Sequence, residues 1–153
     1  EKRRDAGLKE GAYAEKITGQ FVKGVSKQGL NYQLWGSPSL DGTKRYPLVI
    51  WLHGSGQSGT DNESQLGGAP KIWTNEENLS KQPCFLLAPQ CPSADIGWKN
   101  QVADNLLALI ADFFAGAAGF SAGLAAVVAM VTVGTDVLAS HARKVTRQWS
   151  QTD

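Results

Sequence analysis

Two glycine-bounded stretches carry residue types that could support acyl transfer. The first is GFSAG at positions 119–123, a G-x-S-x-G pattern whose glycines permit a tight strand-to-helix turn that exposes the serine hydroxyl. The second is the turn at 54–56, where small residues with a permissive backbone let N–H groups approach a ligand. Acyl transfer needs a nucleophile and donors for the developing oxyanion. The pattern therefore predicts Ser121 as the nucleophile. The predicted oxyanion donors are the backbone N–H of Ala122 and one N–H from Gly54 or Ser55.

Alternating strands and helices are predicted to position these groups. Residues 46–52 are apolar throughout and bounded by breakers, which is typical of a strand buried on both faces of a helix-covered sheet. Residues 83–88 form a second such run. Residues 15–25 and 30–35 alternate in polarity and predict an antiparallel pair leading into the central strand at 46–52. A wide apolar stripe predicts a helix over 98–114 and consists of Val102, Leu106, Leu107, Ile110 and Phe113–Phe114. The order of elements therefore favours an α/β fold.

Three segments carry a family resemblance. LVIWLHGSGQSGTDN, CFLLAPQCP and the following Trp98 together resemble α/β-hydrolase esterases, especially the polyhydroxybutyrate-depolymerase, feruloyl-esterase and peptidase-like branch. The resemblance covers roughly residues 30–113. It implies a reduced α/β-hydrolase-type sheet with flanking helices, in three α/β/α layers. It also implies hydrolysis of small or aryl carboxylic esters through a serine nucleophile and an acyl-enzyme.

The resemblance also implies the other members of a catalytic triad. Asp136 and His141 follow Ser121 in the chain order of this family, which is nucleophile, acid and base. His141 is then the base that deprotonates the serine, and Asp136 orients the imidazole. In H-G-x-G loops the backbone binds the oxyanion, so His53 is expected to fix the loop rather than to react.

The spacing of these residues leaves other interpretations open. Only fifteen residues separate Ser121 from Asp136, and an eleven-residue helix after the serine would already span roughly 15 Å. Residues 114–123 also resemble the strand that follows the nucleophile helix in these enzymes, which would make Ser121 a core serine. Asp136 equally suits a helix N-cap, and His141 a half-exposed helix position. The alternative function is a truncated or non-catalytic hydrolase-fold module that binds or oligomerises without a working triad.

Composition narrows the class of protein. The 153 residues are 42% hydrophobic and 19% charged, with a net charge of +1. One domain is expected at this length, with a lead-in at 1–14 and a single domain at 15–153, which the resemblance implies to be α/β-hydrolase-like. The small net charge does not favour nucleic acid or an anionic membrane as partner. Residues 113–133 are long enough for a membrane span, but they contain glycines and a serine and are predicted as buried core.

The remaining expectations concern cysteines, ligands and assembly. Cys84 and Cys91 lie seven apart in an extended region, which predicts buried thiols without a bridge. Both histidines are remote from them, so neither a metal nor a cofactor is expected, and the predicted ligand is a small ester. A shortened sheet would leave an open strand edge, which predicts a homo-oligomer. The chain begins without Met, which suits a removed leader and secretion, and the compartment stays open.

Overall fold

The computed structural model describes residues 18–38, 40–41, 46–67 and 70–116. These residues form a four-stranded sheet with helical segments between and after its strands. The strands are β1 (Phe21–Val25), β2 (Asn31–Gly36), β3 (Leu48–Ile50) and β4 (Phe85–Pro89). The α-helices are α1 (Pro70–Trp73), α2 (Glu76–Lys81) and α3 (Asn100–Gly116), and short 3₁₀ helices cover Ser55–Gln57 and Ser64–Leu66.

The sheet is mixed, with the strand order β1-β2-β4-β3. β1 pairs with β2 and β2 with β4 in antiparallel fashion, which confirms the predicted antiparallel pair, whereas β3 and β4 are parallel. Among the described residues β4 lies between β2 and β3, so β3, the strand predicted to be central, stands at one end of the described part of the sheet. The chain leaves β3, passes through α1 and α2, and returns as β4 in the same direction, as a parallel pair requires.

Apolar side chains alternate between the two faces of the sheet and form two separate clusters. Leu48 and Ile50 of β3 belong to the first cluster, and Val49 to the second. Helix α3 covers the first cluster, and Leu79 of α2 joins the second. Every residue of β4 is buried, and full burial of one large apolar side chain contributes about 1.5–3 kcal/mol. The strand pattern that indicated burial on both faces is therefore confirmed for β3 and β4.

Helix α3 begins and ends two residues later than predicted, at Asn100 and Gly116. Its buried side chains are Val102, Ala103, Leu106, Leu109 and Phe113. The predicted stripe included Leu107, which is only half-buried, and it omitted Leu109. The core-facing stripe is therefore rotated from the predicted one, because the sheet that it meets determines which apolar positions are covered.

Two further expectations can be compared with the described residues. Cys84 and Cys91 are free and buried, as predicted. No helix within the described ranges is long and apolar enough to cross a membrane. Most of the segment 113–133 lies outside those ranges, as does the lead-in at 1–14.

Candidate functional site

The candidate site lies at the edge of the sheet where the parallel strands β3 and β4 end. Open α/β sheets bind ligands outside the carboxyl ends of their strands. Here β3 leads to His53 and then to the turn Gly54–Gln57, which we call the glycine turn. β4 leads to Gln90 and Cys91. Several hydrogen bonds join these two strand ends, and they determine how the glycine turn is presented.

His53 connects the two strand ends through both of its ring nitrogens. Its side chain is almost fully buried, with 2% exposure. Nε2 accepts a hydrogen bond from the backbone N–H of Cys91 over 2.9 Å, so Nε2 carries no proton. The ring proton of the neutral imidazole is then on Nδ1, which donates to the carbonyl oxygen of Gly54 over 2.7 Å. The structure thus fixes one tautomer of His53 and uses both nitrogens to hold backbone groups.

The surroundings of His53 keep it neutral. Burial lowers its pKa below the ordinary value of 6.5, although the hydrogen bond to Gly54 acts in the opposite direction. Trp98 packs its ring against the imidazole edge to face, with centroids 5.2 Å apart. The Trp98 indole N–H also donates to the His53 carbonyl oxygen over 3.1 Å. A neutral imidazole held on three sides is suited to positioning the loop rather than to proton transfer.

The peptide between Gly54 and Ser55 has a defined orientation. Its carbonyl oxygen accepts from His53 Nδ1, and also from the Gln57 N–H over 3.1 Å. In a trans peptide the N–H points opposite to the carbonyl oxygen, and no peptide bond among the described residues is cis. The Ser55 N–H therefore points away from both donors. Among the described residues it has no hydrogen-bond acceptor, and Ser55 itself is exposed.

The two predicted oxyanion residues of this turn thus differ. The Gly54 N–H donates to the Gln57 side-chain oxygen over 3.3 Å, whereas the Ser55 N–H is open to a ligand. The backbone of Gly54, with φ −79° and ψ 172°, is accessible to any residue. A permissive backbone is therefore not what this position requires, contrary to expectation. The small residues instead leave space, since a Cβ added at Gly56 would meet no atom within 4 Å.

Gln90 is a buried polar residue that was not among the predicted site residues. Only 1% of it is exposed, and its side-chain amide contacts three residues that follow β3. Its oxygen accepts the Asn62 N–H over 2.7 Å, and its Nε2 donates to Asp61 Oδ1 over 2.7 Å and to the Gln57 carbonyl oxygen over 3.4 Å. The sequence feature that could have indicated this role is a glutamine directly after a buried strand, because a buried amide must find hydrogen-bond partners.

Asp61 and Asn62 anchor the far end of this segment. Donors from Ser64, Glu63 and Gln90, the Ser64 hydroxyl foremost, hold the pKa of the Asp61 carboxyl well below its usual range. Asn62 has φ 53°, a left-handed conformation that asparagine tolerates better than most residues. Its side chain donates to the Gly24 carbonyl oxygen over 3.2 Å. The segment after the glycine turn is thereby tied to β1 as well as to β4.

The other predicted site residues are not among those that the structure describes. Ser121, Ala122, Asp136 and His141 lie outside the described residues. The structure therefore places only Gly54 and Ser55 of the predicted site. Within the described ranges, no group of three or more His, Cys, Asp or Glu residues is arranged to hold a metal ion.

Comparisons with known proteins find a likeness to a solved structure. No known protein family matches the sequence, and no curated protein does. Among solved structures, the crystal structure of a thermostable esterase is similar to this chain, with a TM-score of 0.56 and 24% sequence identity. The match covers 67% of this chain and 31% of the esterase, so the chain spans about a third of that protein's length. Together with the mixed sheet and its helices, this likeness shows an α/β fold of the kind found in that esterase.

Proposed function

We propose that this chain acts in hydrolysis of carboxylic esters, on small or aryl substrates, through a serine nucleophile and an acyl-enzyme. The observation that carries the proposal is the orientation of the Gly54–Ser55 peptide, which leaves the Ser55 N–H open at the carboxyl edge of the parallel strands. The fold likeness to a thermostable esterase supports it, as does the resemblance to polyhydroxybutyrate-depolymerase-like and feruloyl-esterase-like enzymes. We extend the proposal to a three-layer α/β/α arrangement of the whole domain.

In the proposed reaction the serine oxygen attacks the ester carbonyl carbon, and the carbonyl oxygen becomes an oxyanion. The Ser55 N–H and the Ala122 N–H would donate to that oxygen. Ser121 is the proposed nucleophile, and His141 takes its proton and delivers it to the leaving alcohol. Asp136 orients the imidazole. Water then attacks the acyl-serine, again with His141 as base, which releases the acid and regenerates the serine.

A proline at position 55 tests the carrying observation directly. Proline has no N–H, and it is tolerated at the first residue of a helical turn, which is the place of Ser55 in the 3₁₀ helix Ser55–Gln57. Gly54 already has the extended conformation that a residue before proline adopts. Ser55→Pro should therefore fold and lose about 10²–10³ in kcat, the cost of one oxyanion donor. Ser55→Ala keeps the N–H, so the ratio of the two variants isolates the donor from the hydroxyl.

The nucleophile needs a separate test. An active-site-directed aryl phosphonate should add one phosphonyl group to the wild-type chain, and intact mass with peptide mapping should locate it on Ser121. Ser121→Ala should remain unlabelled. A folded wild-type chain that neither reacts with the phosphonate nor hydrolyses p-nitrophenyl acetate would contradict the proposal and favour a non-catalytic hydrolase-fold module.

A further inference from the structure

We infer that Gln90 is a positioning residue that sets the conformation of the glycine turn from the end of β4. Its effect on turnover rests on the proposed function, whereas its effect on the turn does not. Gln90 is buried, with 1% exposure, so its side-chain amide loses hydrogen bonds to water on folding. All of the partners that replace water belong to the segment 57–62.

The contacts of Gln90 run directly to the turn. Its Nε2 donates to the carbonyl oxygen of Gln57, the last residue of the turn, over 3.4 Å. The side chain of Gln57 in turn accepts the Gly54 N–H over 3.3 Å, and its own N–H donates to the Gly54 carbonyl oxygen over 3.1 Å. Displacement of Gln57 would thus disturb both polar groups of Gly54. The Gly54 carbonyl and the Ser55 N–H belong to one peptide group, so a change at that carbonyl also changes the direction of the Ser55 N–H.

The two ends of the turn are held by consecutive residues. The Cys91 N–H fixes His53, which precedes the turn, and the Cys91 carbonyl oxygen accepts the Gly59 N–H over 2.9 Å. Gln90 supplies the side-chain contacts to Gln57 and Asn62. Hydrogen bonds from the end of β4 thus hold the chain both before and after the glycine turn, which leaves the turn little freedom to reorient. Small displacements matter here, because a misplacement of about 1 Å at a reacting centre can cost about 10²-fold in rate.

Gln33 provides a matched comparison. It is also a buried glutamine, with 4% exposure, and it also contacts Asn62, through donation to the Asn62 carbonyl oxygen over 2.5 Å. It makes no hydrogen bond to the glycine turn within the described ranges. A merely structural role predicts similar effects for Gln33→Leu and Gln90→Leu. A positioning role predicts that only the change at Gln90 alters the turn.

The experiment measures amide hydrogen exchange and steady-state kinetics on the full chain. Exchange of the backbone N–H of Gln57 measures opening of the glycine turn. Exchange of the backbone N–H of Trp51, which donates to the Leu87 carbonyl oxygen, measures opening of the sheet. In Gln90→Leu the Gln57 amide should exchange about tenfold faster or more relative to the Trp51 amide, and kcat for p-nitrophenyl acetate should fall about 10–10²-fold with KM changed less than about threefold. Gln33→Leu should leave both ratios within about twofold of wild type.

A second variant guards against misfolding of the first. Gln90→Glu keeps an acceptor for the Asn62 N–H but removes the donor to Gln57 and places a carboxylate against Asp61, so it should show the same pattern. An unchanged Gln57 exchange ratio in folded Gln90 variants, or an equal change in Gln33→Leu, would overturn the inference. If wild type hydrolyses no ester, the proposed function fails, and the exchange ratios alone decide whether Gln90 sets the turn.

Discussion

The backbone N–H of Cys91 donates to Nε2 of His53 over 2.9 Å, and this contact joins the ends of two parallel strands. It also decides the chemistry of the histidine. A proton on Nε2 would face the Cys91 N–H, donor against donor, so the folded state favours the neutral Nδ1–H form. That tautomer in turn holds the Gly54 carbonyl oxygen and sets the peptide that presents the Ser55 N–H.

The first prediction concerns stability and pH. Burial lowers the pKa of His53 in the folded state below 6.5, so the unfolded chain binds a proton more readily than the folded chain. The stabilisation that follows from neutral His53 is therefore fully present above pH 6.5. It is lost as the pH falls below 6.5 and levels off below the folded-state pKa.

Urea unfolding at pH 7.5, 6.5 and 5.5 measures this contribution. His53→Gln removes the titrating group, and His141 is common to both chains, so the difference between the two free energies of unfolding isolates His53. That difference should shrink as the pH falls. A difference that is constant across the three pH values would show that His53 titrates alike in both states.

The second prediction concerns packing between β1 and β2. A Cβ added at Gly24 would lie 2.3 Å from Cζ of Tyr32, whose ring packs edge to face on Phe113 with centroids 5.6 Å apart. The ring cannot move without disturbing that contact. Gly24→Ala should therefore lower the free energy of unfolding by about 1–3 kcal/mol. Gly56→Ala, made in open space, should change it by less than about 0.5 kcal/mol, and equal losses would contradict the argument.

The third prediction concerns the proposed triad. If Ser121, Asp136 and His141 act as one unit, each single substitution should remove most ester turnover, and a double substitution should cost little more than a single one. The rate should rise with pH through a pKa near neutrality as the base loses its proton. Full activity in both Ser121→Ala and His141→Ala would remove these residues from the mechanism.

The short spacing from Ser121 to Asp136 leaves little chain for Asp136 to return to Ser121 within one molecule, so a second experiment tests for a site shared between chains. His141 of one chain could serve Ser121 of another. Inactive Ser121→Ala and inactive His141→Ala chains are mixed under conditions of subunit exchange, and turnover is measured. Recovered turnover means a site shared between chains, whereas none means that each site lies within one chain.

The fourth prediction concerns assembly. Among the described residues no strand pairs with the outer side of β1 or β3, and Val22 and Val25 of β1 are exposed large apolar residues. Unpaired strand edges are templates for association. We expect a homo-oligomer at micromolar concentration, measured by multi-angle light scattering. A mass of 16.4 kDa, that of one chain, would rule out a stable oligomer.

Much of the described fold could be predicted from local pattern. The uninterrupted apolar runs around Val49 and Leu86 predicted buried strands, and the stripe through Val102 and Leu106 predicted the long helix. The free, buried state of Cys84 and Cys91 followed from their spacing along an extended run. These features depend on residues close together in the chain, so the sequence carries them directly.

The sequence by itself determined that a glycine-rich turn containing a serine follows a buried strand. Only the tertiary structure decided that β4 lies beside β3, and hence that Gln90 and Cys91 reach back over more than thirty residues to Gln57 and His53. Hydrogen bonds between residues so far apart leave no periodic trace in the sequence. They depend on strand order and register, because those fix which N–H and carbonyl groups meet, and so they also fix the tautomer of His53 and the direction of the Ser55 N–H.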